Sequence, residues 1–236
     1  MSLPATRATF SLLIPTPTKL SRGMKMHSNF FRTYGPKVGR LVDCYSEAEW
    51  RFLLTLEADP NTRTYCEKFP KIDEAVNGRK LFYIFSFWVR RVDGAEELIG
   101  VHRRKKLTRN QIGDLAPERW DDVSDWCVRQ SVRCRFVTDM ELNKVETLTN
   151  NWAQILPHVQ RGIARQKPEL AERILGAVRA AELRTIDDLA KVFPNDDVEE
   201  LQDMLFVLVH QGRIFIDLQK EPVTRASKVE IVREHS

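Results

Sequence analysis

Glu49, Ser86, Gly100 and His102 are the residues on which chemistry would turn. Glu49 lies in a helix signal, Ser46-Glu47-Ala48-Glu49-Trp50, that runs to Leu56-Glu57-Ala58-Asp59-Pro60. Ser86 and the Gly100/His102 pair lie in two strand-like apolar runs, 81–89 and 97–102. A metal-dependent phosphodiesterase core of this shape needs acids to hold Mg2+ beside the scissile phosphate and a lysine to orient water and offset developing charge. On a strand, residues two apart share a face, so an acid at 100 and a lysine at 102 would both enter the cleft. The residue types present break that scheme. Ser86 is a weak neutral ligand, Gly100 offers no side chain, and His102 lacks a lysine's constant charge and reach. Glu49 alone keeps a carboxylate, and its place three residues after Ser46 reads equally as a helix capping box.

The elements that must position these residues follow from periodicity. Trp50, Leu53, Leu54 and Leu56 make a helical stripe that Asp59-Pro60 stops. Strands are expected over about 64–72, 80–92 and 96–103, with turns at Asn77-Gly78 and Asp93-Gly94. A helix over 117–130, a strand over 132–137 and a helix capped by Thr138 follow. Helix then strand hairpin is the core order of an α/β, restriction-endonuclease-like domain, expected over 39–166 behind an extended basic arm, 1–38. From Lys167-Pro168 onward, helical stripes at 169–181, 186–192 and 198–211 and a strand pair at 213–218 and 228–232 predict a winged-helix-like domain over 167–236.

The chain has 236 residues, 42% hydrophobic and 30% charged, with a formal net charge of +4. These values suit a globular protein and permit nucleic-acid binding without demanding it. Basic residues concentrate over 19–40 and at Arg103, Arg104, Lys105 and Lys106 with Arg109, directly after the second strand, where phosphate contact is expected. The acidic stretch 187–203, with Asp196, Asp197, Glu199, Glu200 and Asp203 around the start of the third C-terminal helix, would repel phosphate and favours protein contact there. Cys44, Cys66, Cys127 and Cys134 show no CxxC or zinc-ligand spacing, so free thiols in a reducing cytoplasm and no metal site are expected. The tryptophans, His158 and His210 read as structural. Residues 9–15 are mildly apolar but interrupted by Pro15 and Pro17, so no membrane association is expected and the cytoplasm is the expected location.

At these residues the chain resembles the TnsA family, the endonuclease subunit of heteromeric transposases. The similarity spans roughly 32–232. It rests on the order of Arg32-Thr33-Tyr34-Gly35, the Ser46/Glu49 helix, Leu56 to Pro60, Tyr65-Cys66-Glu67-Lys68-Phe69-Pro70, and Arg135-Phe136-Val137-Thr138-Asp139 followed by Asn150-Asn151. The resemblance implies that Ser86 stands at the family's catalytic aspartate, Gly100 at its Glu or Gln, and His102 at its lysine, with only Glu49 retained as a catalytic remnant. It also implies double-stranded DNA at transposon ends, a DDE transposase and an AAA+ regulator as partners.

The expected function is a TnsA-like subunit of a transposition complex, catalytically impaired, acting in DNA binding and assembly without a cofactor. One alternative is an active endonuclease cutting 5′ strands with Mg2+, Glu49, a displaced acid from Asp93, Glu96 or Glu97, and His102 as base or charge stabiliser. The other is a winged-helix DNA-binding regulator.

Overall fold

The protein is described here by a computed structural model covering residues 15–20, 29–109 and 115–232. It is a mixed α/β protein that divides into two compact units. The first takes the described residues up to Leu53 together with Asn61–Lys144, and the second takes Leu54–Pro60 together with residues 145–232.

In the first unit, β1 (Phe31–Gly35) and β2 (Arg40–Cys44) form an antiparallel hairpin ahead of helix α1 (Glu47–Ala58). A four-stranded sheet has the order β10 (Arg133–Thr138), β7 (Glu96–His102), β6 (Phe87–Arg91), β3 (Thr62–Glu67). Strands β3, β6 and β7 are antiparallel neighbours, whereas β10 lies parallel to β7. A parallel pair needs a crossover, and helix α2 (Trp120–Arg129) supplies it after the small hairpin of β8 (Leu107–Arg109) and β9 (Leu115–Pro117). Thr138 caps the short helix α3 (Asp139–Asn143) with a complete capping box, as its spacing to Glu141 predicts.

The strand expected over 80–92 is broken. Its first half, β5 (Arg79–Ile84), pairs with β4 (Lys71–Val76) around the Asn77-Gly78 turn, while its second half is β6. Glu67 is opposite Phe87 and Lys71 opposite Ile84, so Lys68, Phe69 and Pro70 face only Phe85 and Ser86. This three-against-two bulge bends the ladder, which continuous apolar character cannot announce. Cys66, Ile72, Val76, Leu81, Phe85, Trp88 and Leu98 pack there with Val123, Trp126 and Cys127 of α2. Phe52 of α1 packs on Phe87, ring centroids 5.3 Å apart.

In the second unit, α4 (Glu146–Arg165) lies along α7 (Val198–His210), with α5 (Pro168–Arg179), α6 (Leu189–Val192) and the two-stranded β11 (Ile214–Phe215) and β12 (Glu230–Ile231) completing it. Trp152, Ile155, Leu156 and Val159 are buried from α4, and Leu201, Leu205 and Leu208 from α7. A Cβ on Gly162 would come within 2.6 Å of Val207 Cγ2 and 2.8 Å of the Asp203 carbonyl oxygen, so glycine sets how closely the helices approach.

Three features differ from the sequence reading. The helical context read around His158 is the 20-residue α4, whose bounds the sequence reading did not give, Pro157 inside it removing an N–H. The contact division falls between Lys144 and Val145, ahead of 166/167, because α4 packs within the second unit. Of the arm expected over 1–38, residues 1–14 and 21–28 lie outside the described residues, and Phe31–Gly35 is paired as β1. Among the described residues no helix is long and apolar enough to cross a membrane.

Candidate functional site

The start of α1, the bulge after β3, the β5/β6 break and the end of β7 converge on one cleft of about 500 Å³ in the first unit. Ser46 opens the helix by accepting a hydrogen bond from the Glu49 backbone N–H at 3.1 Å. The Glu49 carboxylate turns back, Oε2 accepting from the Tyr45 N–H at 2.8 Å. The Ser46 half of the expected capping box is therefore present, while the Glu49 carboxylate takes the Tyr45 N–H, one residue before the cap.

Glu49 has two further partners. Its Oε1 accepts from Ser86 Oγ at 3.1 Å and pairs with the Lys68 ammonium. The carboxylate and the ammonium are both buried. Lys68 reaches it because the bulge places this residue at φ +53°, a left-handed conformation uncommon for a side chain larger than glycine. Its N–H is tied to the Ser86 carbonyl at 2.8 Å, and its ammonium lies 5.3 Å from the Tyr45 ring centroid. Lys68 is a charged cleft residue that sequence reasoning did not single out. It stood inside the Tyr65 to Pro70 match, but nothing in spacing showed that a bulge would aim it at Glu49.

Ser86 is buried at the strand break and serves as a bridge, donating to Glu49 and accepting from the Val101 N–H at 3.0 Å. Gly100 and His102 do share a face, as strand periodicity requires. The His102 Nε2 lies 2.8 Å from the Tyr83 hydroxyl, and together they fill the space that a side chain at 100 would need. A Cβ built on Gly100 would lie 2.3 Å from Tyr83 Oη and 2.9 Å from His102 Nε2. Burial lowers the His102 pKa to about 4 and raises that of Tyr83, so both are neutral near pH 7. Trp120 packs edge-on against both rings.

The charged cleft-lining side chains are one carboxylate, Glu49, and four cations, Lys68, Arg103, Lys105 and Lys106. The basic cluster is thus divided. A 3-10 turn over Arg104–Lys106 turns Arg104 away, its N–H donating to Asp139 Oδ1 at 2.9 Å and its guanidinium lying 2.8 Å from Met140 Sδ. Arg109 ends β8, and its side chain lies outside the described residues.

The acids weighed as displaced ligands are engaged elsewhere. Asp93 Oδ1 accepts from the Ala95 N–H at 2.9 Å, Glu96 binds Arg90 and Trp88, and Glu97 pairs with Arg135. Mg2+ requires near-octahedral oxygen donors, usually with one or two carboxylates. Here the Glu49 oxygens already accept from three donors, its charge is balanced by Lys68, and no side chain fits at 100. The residues present do not fit Mg2+.

Elsewhere the expected roles are structural. His158 Nδ1 lies 2.7 Å from the fully buried Asp203, which Arg161 and Arg165 also bind, and His210 Nε2 lies 2.7 Å from the fully buried Glu57. The acids around the start of α7 are paired as well, Asp196 with Arg173, Glu199 with Arg161 and Glu200 with Lys167. No family model matches this chain, and no curated protein matches its sequence.

Proposed function

We propose that the protein is a TnsA-like subunit of a DNA transposition complex that binds duplex DNA and serves assembly with a DDE transposase and an AAA+ regulator, without cutting DNA itself. The observation that carries this reading is the cleft's charge. Its one carboxylate is committed to Lys68, while Arg103, Lys105 and Lys106 line the same space and suit a phosphate backbone. A helix, a strand hairpin and a parallel fourth strand, in the order of a restriction-endonuclease-like core, support the architecture proposed for the first unit. Helices closed by a short strand pair support a winged-helix-like second unit.

The active-endonuclease reading is weaker because Asp93, Glu96 and Glu97 are held by other partners and the buried His102 is a poor base. The regulator reading is weaker because residues 203–208 of α7, which would have to enter a groove, are buried. The test is incubation of the purified chain, with and without a co-expressed DDE transposase, with labelled transposon-end duplex and Mn2+. Binding without 5′-strand nicking by this chain is expected. Nicking that Glu49→Ala abolishes would overturn the proposal.

A further inference from the structure

The mismatch with Mg2+ leads to a positive statement about what occupies the cleft's centre. We infer that the Lys68 ammonium is a built-in cation that takes a divalent ion's place, making the cleft a metal-independent site for a DNA phosphodiester. This deepens the DNA-binding reading and rests on it.

Two features make Lys68 a placed group. The bulge holds its backbone through the bond to the Ser86 carbonyl, and Glu49, itself fixed by the Tyr45 N–H and Ser86, holds its head. An ammonium has three N–H donors. Among the described residues the hydrogen bonds of Lys68 Nζ account for one, to Glu49 Oε1. The remaining donors have no acceptor among the described residues, and Lys68 lines the cleft. Arg103, Lys105 and Lys106 border that space, so a phosphate oxygen entering it meets fixed and mobile cations together. Nuclease metal sites gather carboxylates around an exchangeable ion; here one carboxylate balances a covalently tethered charge, leaving the cleft cationic without any ion. His102, neutral and bound to Tyr83, adds no charge and holds the wall.

The probe is a fluorescein-labelled 30-base-pair duplex carrying a transposon end, titrated with the full chain by anisotropy at constant ionic strength. Affinity in EDTA and in Mg2+ is expected to agree within about two-fold, and Mn2+ titrated into the free protein by calorimetry is expected to give no site dependent on Glu49. Lys68→Met is expected to weaken the duplex about ten-fold, the value of one charge-assisted hydrogen bond. That variant leaves Glu49 without its counter-ion, so the charge-free pair Glu49→Gln/Lys68→Met is measured beside it, with circular dichroism as the check of fold. The same weakening is expected.

Duplex binding that requires divalent metal, Mn2+ binding lost in Glu49→Gln, or unchanged affinity in the folded double variant would each overturn the inference while leaving DNA binding intact. Absence of duplex binding by the wild-type chain would overturn the DNA-binding proposal and this inference together.

Discussion

The substitution Gly100→Ala tests directly whether Tyr83 and His102 occupy the space that a side chain at 100 would need. A methyl group there would sit 2.3 Å from Tyr83 Oη and 2.9 Å from His102 Nε2, the nearer contact being more than about 1 Å short of ordinary van der Waals separation. Neither ring can retreat freely, since Tyr83 packs on Phe85 and Trp120, and His102 on Trp120 and Phe136. Overpacking of this kind costs about 1–3 kcal/mol, and opening the Tyr83–His102 hydrogen bond adds about 1 kcal/mol. The expected loss of stability is therefore about 2–4 kcal/mol. Trp50, Trp88, Trp120 and Trp126 lie in the first unit and Trp152 in the second, so urea unfolding followed by tryptophan fluorescence reports mainly on the affected unit. Tyr83→Phe removes the oxygen nearest the new methyl group. In a double-mutant cycle it should recover more than about 1 kcal/mol of the alanine's cost. A loss below about 0.5 kcal/mol, or no relief from Tyr83→Phe, would refute the steric account.

Three further outcomes are expected. The folded His102 titrates near 4 against an ordinary 6.5, so between those values the unfolded chain takes up a proton that the folded chain refuses. Its contribution of about 3 kcal/mol is present in full above pH 6.5 and lost as pH falls toward 4. His102→Gln should flatten the pH dependence of unfolding in that window, and an unaltered slope would refute the assignment. Hydrogen bonding from Cys127 lowers the Cys134 thiol to about 7, while burial raises Cys44 and pushes Cys66 up to about 12. Iodoacetamide labelling mapped by mass spectrometry should therefore reach Cys134 first, with a rate rising through pH 7; earlier labelling of Cys66 would contradict this. Neutralising Arg103, Lys105 and Lys106 together should reduce the salt slope of duplex binding by about 2–3, whereas Arg104→Gln should leave it nearly unchanged. Equal effects would show that the division of the basic cluster has no consequence for binding.

The sequence disclosed elements and turns better than the site. Asn77-Gly78, Asp93-Gly94 and the Thr138 capping box are local, and each lies where its residue chemistry places it. The β1/β2 hairpin was hidden because its strands carry the basic residues Arg32 and Arg40, whose partners Asp43 and Glu67 become visible only on folding. Glu49 and Ser86 were each singled out in the sequence, and in the fold they meet. The ion pair with Lys68 was not legible, because it depends on a bulge and one left-handed residue. Gly100 was legible as the place where a nuclease of this shape would need an acid; that Tyr83 and His102 fill the space beside it was not, because their approach depends on the fold.

The residues around Glu49 form an interdependent set, so introducing an acid or a lysine at only one of positions 86, 100 and 102 should not create a metal site. Gly100→Glu meets Tyr83 and His102 before it reaches the cleft. Ser86→Asp places a second carboxylate against Glu49 Oε1, where like charges oppose each other, and removes the hydroxyl that links Glu49 to the Val101 N–H. His102→Lys adds a cation beside Lys68, Arg103 and Lys106 and frees the Tyr83 hydroxyl from its partner. The buried polar side-chain atoms that line the cleft are meanwhile satisfied among the described residues. Among the described residues, Arg119 Nη2 is the buried side-chain polar atom without a partner, and Arg119 is not one of the cleft-lining residues. Calorimetry with Mn2+ on the three single variants and on a combined variant that also carries Tyr83→Phe and Lys68→Gln separates the possibilities. Silence in every single variant is expected, with any metal binding confined to the combination, because only there are Glu49 released and space opened at 100. Stoichiometric Mn2+ binding by Gly100→Glu alone would refute this account, because a single acid at 100 would then suffice to make the cleft bind metal.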